Sequence, residues 1–261
     1  MIIKKKKTAI IIPYFNSPEK PIIVGDVVFD KTFLVGIDER YQVDRNAISM
    51  IGNSLFDIIE ELNGKSKQEE RMIIEKSNNI PGVSYMALID LLINRWMDVL
   101  HPFKKENKGG EIIYVAEREK KYSIDSSFIK LFKKSQELLK MERFRISLMR
   151  WGSSYNRADA LDSLLDCCSS LESLLIPGEE LRLKLSLFVY HVLKIDREKS
   201  MQLVFDLYKK RNDFIHGNKI PEVTREEQSG FISVTASVLK AVIDDGMVPD
   251  SKKLLDNILM R

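Results

Sequence analysis

The chain has 261 residues, of which 44% are hydrophobic and 30% charged, proportions that suit a soluble globular protein of one large or two smaller domains. A formal net charge of +3 is too small to identify a nucleic-acid partner and permits one only where the charges cluster. No stretch approaches the roughly 20 apolar residues of a membrane span. The best candidate, residues 86–99, is broken by Asp90, Arg95 and Asp98.

In chain order, four lysines at 4–7 precede an apolar run, Ala9 to Ile12, that meets Pro13 at once, too short for a signal peptide. Residues 1–122 read as a smaller mixed α+β domain. Residues 10–15, 22–29 and 32–37 are short β-prone runs separated by Pro18, Pro21 and Asp30-Lys31. Ile48, Ile51, Leu55, Ile58, Ile59 and Leu62 repeat at helical spacing until Gly64. Met86, Ile89, Ile93, Trp96, Met97 and Leu100 predict one further helix, stopped by Pro102. The segment KKENKGG at 104–110 reads as a loop before a strand at 111–116.

From residue 123 to the end the pattern is helical. Phe128, Leu131, Phe132, Leu138 and Leu139 form one stripe, and a second helix is expected from Glu142 to about Tyr155. Asn156 is the expected N-cap of the next, on which Leu161, Leu164, Leu165, Cys168, Leu171, Glu172 and Leu175 share a face. Leu181 to Leu187 alternate as in a strand, but Leu181, Leu185, Phe188, Val189 and Val192 also fit a helix, which the helical neighbours favour. Asp196 opens a helix that ends in LYKKRNDFIHG, and a last long helix carries Phe231, Val234, Val238, Ala241 and Val242. Adjacent Cys167 and Cys168 face different ways and have no second pair nearby, so they read as inert core thiols in a reducing cytoplasm rather than as a disulfide or metal site. His191, among Val189, Tyr190 and Val192, reads as a packed structural histidine.

The chemistry-bearing stretch is 207–217. Val204, Leu207, Tyr208, Arg211 and Ile215 recur at spacings of three and four, so Arg211 continues an apolar stripe. His216 lies five residues on, about 140° further round the helix, in a last turn closed by Gly217. Arginine forks onto phosphate oxygens and histidine titrates near neutral pH, a pairing suited to phosphate chemistry. Glu172, a carboxylate on an apolar stripe, needs a partner, either Arg211 or another buried base. Arg95 and His101 form a second arginine–histidine pair, but Trp96 and Pro102 follow them where Asn212 and Gly217 follow Arg211 and His216.

Residues 142–217 resemble the HEPN superfamily, and within it the Apea-like HEPN proteins of prokaryotic defence. The features that carry the resemblance are Met149-Arg150-Trp151, RADALDSLLDCCSSLESLL at 157–175, LRLKLSLFV at 181–189 and RNDFIHG at 211–217. The resemblance implies a fold that is mainly α, with a HEPN-like helical bundle over 123–261. It also implies a homodimer and a metal-independent, cofactor-free endoribonuclease. Arg211 and His216 would match its Arg-x4-His catalytic positions, Asn212 the polar residue after the arginine, and Glu172 a supporting acidic position. Lys209 and Lys210 are the expected substrate-binding lysines. With Lys130, Lys133, Lys134 and Lys140 they could line an RNA path, though a solvated helix face accounts for all six as well. The implied setting is cytoplasmic antiviral defence, as a toxin or abortive-infection component answering to an antitoxin or a phage-derived trigger. Two rivals stay open: a non-catalytic HEPN dimer module that binds RNA, a nucleotide or a partner protein, and a purely structural dimerisation domain.

Overall fold

The computed structural model describes residues 7–12, 19–33, 41–43, 70–76, 80–100, 103–108, 111–116, 122–175, 181–217 and 219–248. Among them the chain is mainly helical, with eight helices and seven strands. It divides into two compact units, Met1–Lys133 and Lys134–Arg261. The division passes through a helix, Ser126–Lys140, whereas the sequence reading sets it just ahead of that helix.

The first unit holds β1 (Lys7–Ile12), β2 (Ile22–Val24), β3 (Val27–Phe33), β4 (Tyr41–Val43) and β5 (Glu70–Lys76) in one sheet, ordered β2-β3-β5-β1-β4. All pairings are antiparallel except β1 with β4. The predicted run 22–29 is two strands, because Gly25 takes φ 59° and folds β2 back on β3 as a hairpin. Val24, Val27 and Phe29 are its buried members. β5 was not foreseen: Met72, Ile73 and Ile74 are consecutive, without the alternation that marks a half-buried strand, and they occupy the middle of the sheet. The expected helix at 48–62 lies outside the described residues.

The single helix expected through Leu100 is two, α1 (Gly82–Ile93) and α2 (Arg95–Leu100), interrupted where Asn94 adopts φ 60°. Arg95 is buried against Asp90 at 2.7 Å across that break, so the arginine of the second arginine–histidine pair is committed to a structural ion pair. The predicted loop at 104–110 is also a correction. Phe103–Lys108 is strand β6, paired antiparallel with β7 (Glu111–Ala116). Backbone pairing in a two-stranded hairpin tolerates lysine and glutamate, so polarity misled the reading. α3 (Ser126–Lys140) opens where Asp125 accepts from the Phe128 N–H at 2.7 Å, and Phe128 and Phe132 pack edge-on against Phe29.

The second unit is a helical bundle of α4 (Glu142–Ser154), α5 (Ala160–Ser173), α6 (Leu181–Leu193), α7 (Arg197–Ile215) and α8 (Arg225–Asp245). α5 runs through it, in contact with α4, α6, α7 and α8. Small residues let α4 and α5 approach closely: Ser170 Oγ donates to the Ser147 carbonyl at 2.7 Å, and the two hydroxyls stand 3.0 Å apart. Trp151 is fully buried, its Nε1 donating to the Ile232 carbonyl and its ring edge-on to Tyr155. Leu181–Leu193 is helical, as its neighbours implied.

Asp159, not Asn156, caps α5, accepting from the Leu161 and Asp162 N–H groups. Asn156 instead donates to the Gly152 carbonyl, satisfying the end of α4. α8 begins with a capping box between Thr224 and Glu227, and Lys210 adds an ion pair to Glu227 at 2.7 Å. Lys210 first, then the Thr224 N–H, hold the Glu227 carboxyl below its ordinary value. A depressed carboxyl stabilises the fold above its unfolded pKa, about 4.3, and the contribution is lost as pH falls through the lower folded value. Lys210→Met is therefore expected to flatten the fall in unfolding midpoint below about pH 4.3. Urea titrations across that interval measure it, and an unchanged profile would mean that the pair adds nothing.

Candidate active site

α7 is capped at its start by Asp196, which accepts from the Glu198 and Lys199 N–H groups, as its position in the sequence predicts. It buries Ser200, Val204, Leu207 and Tyr208 and lies against α5 and α6. One turn on, Arg211 emerges from this buried face with 27% of its side chain exposed. The expected stripe ends there. Ile215 is 51% exposed, because α7 has run past the neighbours that cover Val204 and Leu207.

Arg211 stands 3.7 Å from Glu172 Oε1, in the last turn of α5, and donates from Nη1 to Asn212 Oδ1 at 3.1 Å. Glu172 thus has the partner that a carboxylate on an apolar stripe requires. It has a second one in Tyr208, whose hydroxyl donates to the same Oε1 at 2.6 Å. Burial, and then the Glu172 carboxylate, raise the Tyr208 pKa, so the hydroxyl stays protonated and remains a donor. The Arg211 guanidinium also lies 5.9 Å from the Tyr208 ring centroid. Tyr208 is the member that the sequence reading left without a role. Its signal was present in the i, i+3 spacing to Arg211, but a tyrosine on an apolar stripe reads first as packing.

His216 is the C-cap of α7, its backbone N–H bonded to the Asn212 carbonyl at 3.0 Å. Gly217 follows with φ 67° and donates to the Phe214 carbonyl, a left-handed turn that only glycine takes without strain. The imidazole is exposed. Among the described residues it makes no side-chain hydrogen bond or ion pair. The structure therefore gathers Glu172, Tyr208, Arg211 and Asn212 into one polar group and sets His216 beyond it on the open end of the same helix.

The lysines divide. Of the two expected substrate-binding lysines, Lys209 is exposed, whereas Lys210 donates to the Glu222 carbonyl at 2.6 Å and pairs with Glu227. Lys134 donates to the Asp244 carbonyl and Lys140 pairs with Glu137, so two of the four α3 lysines have intramolecular partners. His191 is exposed in the last turn of α6 while Val189 and Val192 face inward, so it is not the packed histidine expected. Cys167 and Cys168 are buried, and burial pushes the Cys167 thiol up to about 12, leaving it uncharged near neutral pH. Among the described residues no three His, Cys, Asp or Glu side chains converge as a metal site would need, and no helix is long and apolar enough to cross a membrane.

No protein-family model, curated protein or solved structure matches this chain.

Proposed function

We propose that the chain is a metal-independent endoribonuclease of the HEPN kind, acting on RNA in the cytoplasm. The observation that supports this reading best is the Glu172–Arg211–Asn212 group, with an exposed histidine at the end of the same helix. An arginine fixed from two sides but still open to solvent is prepared to bind a phosphodiester, and its fork complements the non-bridging oxygens. Holding it in place beforehand removes part of the ordering cost of the reaction.

In the proposed reaction the ribose 2′-hydroxyl attacks the adjacent phosphorus. The bond to the 5′-oxygen of the next nucleotide breaks, leaving a 2′,3′-cyclic phosphate and a 5′-hydroxyl. His216 takes the 2′-hydroxyl proton or supplies one to the leaving oxygen. One imidazole cannot easily serve both faces of the phosphorus, so a two-fold homodimer supplying a second His216 completes the scheme. By the resemblance alone, the biological role is antiphage defence, with an antitoxin or phage-derived trigger restraining or releasing the activity.

Glu172 also supports the rival reading, a non-catalytic HEPN dimer module that binds RNA, a nucleotide or a partner protein. A carboxylate 3.7 Å from the guanidinium competes with any phosphate for it. Paired RNA and all-deoxy oligonucleotides of one sequence, incubated in excess EDTA, separate the readings. The nuclease cuts only RNA and leaves cyclic-phosphate ends, because the attacking group is the 2′-hydroxyl. Cleavage of DNA at a comparable rate would sink the mechanism, and retention of RNA without cleavage would favour the binding module.

A further inference from the structure

Tyr208 and Arg211 approach the same carboxylate oxygen, and they approach it unequally. Tyr208 donates to Glu172 Oε1 at 2.6 Å, a short charge-assisted hydrogen bond. Arg211 Nη2 stands 3.7 Å from that atom, beyond hydrogen-bond reach. Among the described residues Glu172 accepts no other side-chain hydrogen bond. An arginine and a carboxylate free to do so close into a bidentate fork. Here the fork is not made.

Tyr208 is 5% exposed and belongs to the buried face of α7, so packing fixes where its hydroxyl lies. Burial, and then the Glu172 carboxylate, keep that hydroxyl protonated, so the bond does not lapse near neutral pH. Arg211 uses Nη1 for its bond to Asn212. Its Nε and Nη2 donors make no hydrogen bond among the described residues, and 27% of the side chain is exposed. Unused donors at the surface are what a phosphodiester requires of an arginine. A guanidinium already forked onto a carboxylate does not offer them.

We infer that Tyr208 is a positioning residue for Arg211: by occupying Glu172 Oε1 it keeps the carboxylate from closing on the guanidinium, which stays open to a substrate phosphate. Glu172 still orients the arginine through its charge, and the hydroxyl limits how tightly it holds. Tyr208 itself makes no contact with substrate. The inference rests on the reading that Arg211 binds a phosphodiester, and it names what prevents Glu172 from winning that competition.

The first arm of the test needs no substrate. Phenylglyoxal modification, mapped by mass spectrometry to the peptide carrying Arg211, reports how free that guanidinium is. Tyr208→Phe keeps the ring and removes the hydroxyl. It is expected to slow Arg211 modification roughly tenfold, the worth of one hydrogen bond to a charged group. Adding Glu172→Gln should restore the wild-type rate, because an amide does not hold the guanidinium as an ion does. A merely structural loss would loosen the site and speed modification instead. The second arm is RNA cleavage in excess EDTA. Tyr208→Phe should raise KM roughly tenfold with kcat little changed, since Glu172 is displaced on binding, and Glu172→Gln should bring KM back. Unchanged or faster Arg211 modification in Tyr208→Phe overturns the inference. So does a slowing that Glu172→Gln fails to reverse, or a KM that does not follow the modification rate. The expected modification pattern in a protein that neither binds nor cuts RNA would remove the nuclease reading and leave the hold of Tyr208 on Glu172 standing.

Discussion

His216→Ala is expected to lower RNA cleavage in excess EDTA by about 10²- to 10⁴-fold, the range for loss of a general acid–base group. The fold should not notice. The imidazole is exposed, and the cap at this position is made by the backbone N–H, which alanine retains. Unfolding midpoints of the two proteins should therefore coincide while their cleavage rates diverge. Arg211→Lys provides the second arm, because lysine keeps the charge but loses the planar fork. It should depress cleavage and also loosen the contacts with Glu172 and Asn212. Equal cleavage by wild type and His216→Ala would place the activity elsewhere or assign it to a contaminant.

Trp151→Ala is expected to be the most damaging core change in the second unit. The side chain is fully buried, bonds to the Ile232 carbonyl and packs edge-on against Tyr155. Removing it leaves a cavity at about 3–5 kcal/mol and takes away the second hydrogen bond of a carbonyl that keeps its helical one. Against a whole-domain stability of about 5–15 kcal/mol, that leaves little margin. Urea denaturation should show a midpoint far below the wild type with the slope preserved, whereas a shift comparable to that of an exposed Met201→Ala would mean that the bundle collapses around the gap.

The helices of the second unit were legible because they repeat apolar residues at helical spacing, and α5, α7 and α8 open on a capping side chain. Asp196, Thr224 and Gly217 act as their residue types predict. Asn156 misled because asparagine serves equally well at either end of a helix, and Asp159 stood three residues further on. In the first unit the signals failed for physical reasons. β5 is an interior strand without alternation, and β6 is a polar one in a hairpin. The Arg211–Glu172 contact could be anticipated from two charged groups on apolar stripes, each in want of a partner. The Tyr208 hydroxyl bond could not, since it depends on how α5 lies beside α7.

Cys167 and Cys168 are the only two cysteines in the sequence, and both lie within the second unit at 1% exposure or less. A thiol reagent in solvent must wait until the bundle opens before it meets either sulfur. The pace of alkylation is thus a clock for opening of the Lys134–Arg261 unit alone, silent about the other unit. Where reclosing outruns labelling it reads the equilibrium population of the open form, and where labelling is faster it reads the opening rate itself.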